Sequence, residues 1–105
     1  MMTKHCEYWR RERVEHIKRE IGLGQIVKEN FVRWPNKPYG NYICITDTGV
    51  TIVKDEDHET IVTIYVTTMK ELIAVYNGMK KIPPYLRKKV QNNETKYIRN
   101  GKTIW

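Results

Sequence analysis

His16 stands in RRERVEHIKRE, a stretch that reads as helix, with Arg13 and Arg19 one turn away on either side, near enough to share one face. An imidazole beside two guanidiniums has the parts needed to cleave a phosphodiester: proton transfer near neutral pH, and cations for the charge that develops as a phosphate cyclises. Thr63 and Tyr65, in TIVTIYVTT, would add hydroxyls from a strand. A solvated helix histidine among salt bridges accounts for the same residues. Strand alternation also sets Thr63 and Tyr65 on the face opposite Val62, Ile64 and Val66, so they meet a helix packed on the apolar face only at a sheet edge or through strong twist.

A second constellation rests on charge. The 105 residues carry a formal net charge of +7. Residues 1–78 hold 11 Lys and Arg against 11 Asp and Glu, and residues 79–105 hold 8 against 1, so the whole excess lies in the last segment. Its cations are Lys80, Lys81, Arg87, Lys88, Lys89, Lys96, Arg99 and Lys102, interleaved with Tyr85, Tyr97 and Trp105. Basic residues interleaved with aromatic ones are the footprint of a nucleic-acid partner, cations for phosphates and ring faces for bases. A solubilising basic face whose aromatics pack on the domain is the plainer alternative.

The remaining candidates are weaker. His58 lies in KDEDHE, where Asp55, Glu56, Asp57 and Glu59 lack the alternating oxygen ligands of a calcium loop and read as a hydrophilic turn. Cys6 and Cys44 form no paired spacing, and His5 beside Cys6 matches no structural zinc pattern. With no phosphate-binding glycine loop either, no metal and no cofactor are expected.

These residues need elements to hold them. Thr3 caps a first helix running to about Glu20, with Val14, Ile17 and Ile21 as its buried stripe and charged pairs such as Arg11 to Glu15 on its outer face. GQIVKENFVRW predicts a second, shorter helix through Ile26, Val27 and Phe31, stopped by WPNKPYG. Three strands follow, YICIT, VTIV and TIVTIYVTT, the first two joined by Asp47-Thr48-Gly49 and the third central. Thr68 and Glu71 form a capping box that opens a helix closed by Gly78, and Pro84 starts a short basic helix around Leu86 and Val90. After Asn92-Asn93 comes a hairpin turning on Asn100-Gly101, with Arg99 opposite Lys102, Tyr97 and Ile104 on their face, and Ile98, Thr103 and Trp105 on the other.

The expected fold is α+β: N-terminal helices, a three-stranded antiparallel meander, a helix, then a short basic helix and a β-hairpin. Residues 1–78 form a neutral α+β core domain, and residues 79–105 a basic module, either in the same folding unit or appended to it. No apolar run approaches a membrane span and MMTKHCEYWRRER has no apolar signal region, so a cytoplasmic protein is expected.

TDTGVTIVKDEDHETIVTIYVTT, preceded by a helix carrying His16 and a basic neighbour, resembles the small RelE-like and colicin-like α+β domains of phages and other mobile elements. The resemblance covers about residues 10–68. It implies a metal-independent ribonuclease with His16 and Arg19 on the helix and Thr63 and Tyr65 in the last strand of the meander, and a host-cell cytoplasmic setting.

Three functions follow from these observations. The leading one is a small basic binding protein that engages nucleic acid, or a host nucleoprotein such as a defence nuclease, through Lys80, Lys81, Arg87, Lys88, Lys89, Lys96, Tyr97, Arg99 and Lys102. The second is the ribonuclease, with Arg13 and Arg19 on phosphate. The third is an assembly component that forms a homo-oligomer or pairs with a partner through the hairpin edge.

Overall fold

Apolar stripes on three helices are buried by the two faces of one sheet. The structure, a computed structural model, describes residues 4–105, with side chains from residue 11 onward; Thr3 lies outside the described residues, as do the side chains of His5 and Cys6. Helix α1 spans Lys4–Glu20 and is followed by four strands: β1 (Ile26–Arg33), β2 (Gly40–Thr46), β3 (Val50–Lys54) and β4 (Ile61–Val66). Helix α2 (Met69–Tyr76), a 3₁₀ turn (Met79–Lys81), helix α3 (Pro84–Tyr97) and a hairpin of β5 (Ile98–Arg99) and β6 (Lys102–Thr103) complete the chain. The fold is α+β, and the sheet is antiparallel throughout, in the order β1-β2-β3-β4.

The second helix expected in residues 24–34 is instead β1, and the meander therefore has four strands. Ile26, Lys28, Asn30 and Val32 are half-buried while Val27, Glu29, Phe31 and Arg33 are exposed, a period of two. The added strand lies on the far side of β2, and among the described residues β4 pairs with β3 alone, so β4 is an edge strand rather than the centre of the sheet. β4 also bulges: Val53 pairs with Thr63 and Lys54 with Ile61, leaving Val62 as the extra residue.

Ile17 of α1 is fully buried against Cys44, Val50, Ile52, Ile64 and Val66 on one sheet face. On the other face Ile45 meets Leu72 and Val75 of α2 and Ile82, Leu86 and Val90 beyond it. Helices therefore cover both faces, where the alternation had placed them on one. Among the described residues, no helix is long and apolar enough to cross a membrane.

α3 is longer than expected and continues through Asn92-Asn93 to Tyr97. Its buried residues, Leu86, Val90, Asn93 and Tyr97, recur every three or four positions and form a single inner face. Asn93 donates from Nδ2 to the carbonyl of Thr48 at 2.9 Å, which clamps α3 onto the β2–β3 turn. Gly49 in that turn has φ +85°, and a Cβ there would come within 2.7 Å of the Asn93 amide, so glycine is required for both reasons. The last hairpin turns as expected, with φ of 54° at Asn100 and 76° at Gly101, and Arg99 opposite Lys102. Ile98 and Trp105 then join the α1 side of the core.

Residues 79–105 thus share the core of residues 1–78. Leu86→Ala is expected to lower the unfolding free energy in urea by about 2–5 kcal/mol, whereas exposed Lys88→Ala stays within about 0.5 kcal/mol. A chain ending at residue 78 should show no cooperative transition; a cooperative one would mean that the segment is appended.

Candidate nucleic-acid interface

The outer side of α3 follows from its inner one. With Leu86, Val90, Asn93 and Tyr97 turned inward, helical spacing aligns Tyr85, Lys89, Asn92 and Lys96 on one flank, with Lys88 outermost and Arg87 on the opposite flank. All eight cations of residues 79–105 are exposed, and among the described residues none is in an ion pair. The segment's one carboxylate, Glu94, accepts from the Met69 backbone N–H at 3.0 Å and is occupied in holding the start of α2. Arg99 and Lys102 stay directly opposite each other and both exposed, a like-charge pair that costs stability unless an anion meets it.

The aromatic residues of this segment behave differently. Tyr97 is only 6% exposed, because it closes the inner face of α3 instead of lying on the hairpin face beside Arg99. The Trp105 ring stacks on His16 at 5.3 Å between centroids, with the planes 7° apart, and meets Tyr97 at 5.0 Å. Lys96 Nζ lies 5.2 Å from the Tyr97 ring centroid. Only Tyr85, 56% exposed, keeps a largely free ring in the segment.

The residues expected to act in catalysis fall into two separate environments. Arg19 approaches His16 Nδ1 at 2.8 Å, and with Trp105 stacked alongside, the imidazole is held between a guanidinium and an indole. The charged pairs expected along α1 give way here: Arg19 turns to His16 and Glu20, and among the described residues no ion pair joins Glu15 to Arg11 or Arg19. Thr63 and Tyr65 lie on the face away from α1. Because β4 is the edge, Arg13 reaches around it, and its Nη2 donates to Thr63 Oγ1 at 2.9 Å. The Tyr65 hydroxyl donates to Glu71 Oε2 at 2.5 Å. Among the described residues, no hydrogen bond joins His16 to Thr63 or Tyr65.

Glu71 is the residue whose role the sequence concealed. Its N–H donates to the Thr68 hydroxyl at 3.2 Å, as a capping box requires, but its carboxylate accepts from Thr51 and Tyr65 instead of returning to the cap. Thr51 in turn is hydrogen-bonded to Thr67, so a polar chain ties β3, β4 and α2 together. Burial, then the bond to Glu71, push the Tyr65 phenol far above its ordinary value, which keeps it protonated and donating.

Between the sheet and α2 lies a groove of about 450 Å³ that reaches Asn30, Trp34, Asn41, Thr63 and Tyr65. Much of its polar lining is used internally: Asn30 donates to the Val75 carbonyl, Trp34 Nε1 to Asn41 Oδ1, and Asn41 Nδ2 to the Lys54 carbonyl. Cys44 is fully buried, and burial, with the Glu29 carboxylate second, raises its thiol pKa, as befits a core side chain. KDEDHE is a turn stitched by Asp57, which accepts from the Thr60 hydroxyl and the N–H groups of Glu59 and Thr60 and is held down to about 2 by those bonds. His58 leaves that turn to reach Glu29 across the sheet and the edge of the Tyr42 ring.

No family model, curated protein or solved structure matches this chain.

The raised Tyr65 pKa has a measurable consequence. Its protonated form adds stability that is present below the ordinary value of 10.0 and is lost as pH climbs beyond it. Urea midpoints between about pH 9 and about pH 11 are expected to fall more steeply in the wild type than in Tyr65→Phe. Parallel profiles would show that burial and the Glu71 bond do not raise the phenol in the folded protein.

Proposed function

We propose that this protein binds nucleic acid electrostatically, through the surface made by the outer side of α3, the 3₁₀ turn before it and the hairpin after it. The observation that carries this reading is the state of the eight cations: exposed, outside ion pairs, and on a segment whose one carboxylate is engaged elsewhere. Charges placed so are open to a polyanion, and binding releases the counterions condensed on that polyanion. Charge polarity supports the reading further. The β3–β4 turn with Asp55, Glu56, Asp57 and Glu59 is at the end of the sheet opposite the β2–β3 turn that α3 grips. A polyanion is therefore drawn to one end and repelled from the other.

Binding should fall linearly on a log–log salt plot, losing about 0.9 of slope for each phosphate contact removed from duplex DNA. Lys88→Glu with Lys89→Glu is expected to weaken retention at least about tenfold and to flatten the slope by about two contacts. Arg33→Glu with Lys37→Glu makes the same charge change in and beyond β1, away from the α3 surface, and should alter affinity less than about threefold. Absence of salt-sensitive retention, or equal losses in the two double variants, would refute the assignment.

A further inference from the structure

Resting on that reading, we infer that the partner is double-stranded nucleic acid, gripped through its phosphates without base stacking. The fold separates most of the aromatic rings of residues 79–105 from the cations of that segment. A protein that holds single strands needs ring faces spaced among its positive charges, because unstacked bases must be covered. Here the two rings nearest the hairpin cations are withdrawn into packing: Tyr97 is 6% exposed, and Trp105 is taken up by His16 and Tyr97. Tyr85 alone keeps a largely free ring in residues 79–105, at the start of α3 and away from the hairpin cations.

Among the described residues, the other exposed rings lie at the far end of the sheet from the β2–β3 turn that α3 grips. Trp34 and Tyr39 are each 42% exposed, and they line a cavity of about 640 Å³ together with Lys37 and Asp55. That cavity adjoins the acidic turn, since the Gly40 N–H donates to Glu56 Oε1 at 2.6 Å. Lys37 Nζ lies 5.7 Å from the Tyr39 ring centroid, so these rings have a cation of their own, but they share no surface with the cations of α3 and the hairpin and cannot cover bases held there.

For a duplex the same arrangement is sufficient. Its bases are stacked in the interior, its backbone presents one negative charge per about 1.7 Å of axis, and phosphate contacts alone set affinity and register. Lys89 and Lys96 are separated by seven residues of α3, about 10 Å at 1.5 Å per residue, a spacing comparable with the width of about 12 Å across a B-form major groove. The paired Arg99 and Lys102 extend the line beyond the helix.

The test compares duplex DNA, duplex RNA and the single strands of one sequence of about 20 nucleotides, each titrated with the full chain at several salt concentrations. At least one duplex is expected to bind about tenfold or more tightly than its single strands, and which duplex does so identifies the source of the phosphates. Tyr85→Ala should change duplex affinity by less than about threefold. Single strands bound as tightly as duplex, or a loss of about tenfold in Tyr85→Ala, would overturn the inference while leaving nucleic-acid binding standing. No salt-sensitive binding to any probe would overturn the reading beneath it as well.

Discussion

The burial of one face of α3 is the constraint on which the rest of the structure depends. Leu86 and Val90 are fully buried against Ile45, Leu72 and Val75, and Asn93 fastens the helix to the β2–β3 turn. A helix so anchored cannot turn without exposing those side chains or leaving the Asn93 amide unsatisfied in the interior. Its outward residues are fixed in the same act. The charge of residues 79–105 is therefore the outer surface of a core layer, where it is held in a defined pattern instead of trailing from the domain.

The exposed edge of the sheet explains the path of the chain after α3. An uncovered edge strand invites pairing with other chains. Here Arg13 reaches around β4 to Thr63, and a cavity of about 500 Å³ at this edge is bounded by Arg13, Tyr65 and Val66 on one side and by Lys102, Thr103 and Trp105 on the other. Passing from the α3 face to the α1 face, the segment delivers Ile98 and Trp105 to the core cluster of Ile17 and Val66. That path has electrostatic consequences. It stacks Trp105 on His16, which removes a ring from the basic surface, and it leaves Arg99 and Lys102 on the outside.

Much of this was legible in the amino-acid sequence where the signal is local. The Asn100-Gly101 turn, the Thr68 cap, the span of α1 and the strands β2 to β4 all rest on residues within a few positions of each other, and each appears in the structure. β1 was not legible because Val27 and Phe31, four apart, imitate a helical stripe, while the two-residue alternation that governs depends on β2 lying alongside. α3 extends past Asn92-Asn93, a pair that reads as a break, because the long-range bond from Asn93 to Thr48 offsets the weak helix propensity of asparagine. β-Branched residues mark β4 as a strand but not its place in the sheet. The partition of the site into His16 with Trp105, and Tyr65 with Glu71, joins residues far apart in sequence, which no local pattern records.

On the proposed reading, one surface, the outer side of α3 with the hairpin, meets nucleic acid while the groove and the acidic end do not. Amide chemical-shift mapping on isotope-labelled protein titrated with duplex tests this directly. Shifts should concentrate in residues 80–103, strongest around Lys88, Lys89, Lys96 and Arg99, with the Trp34, Tyr39 and Asp55 amides unmoved. Shifts concentrated in the β1–β2 loop or along the groove, with α3 silent, would contradict the account.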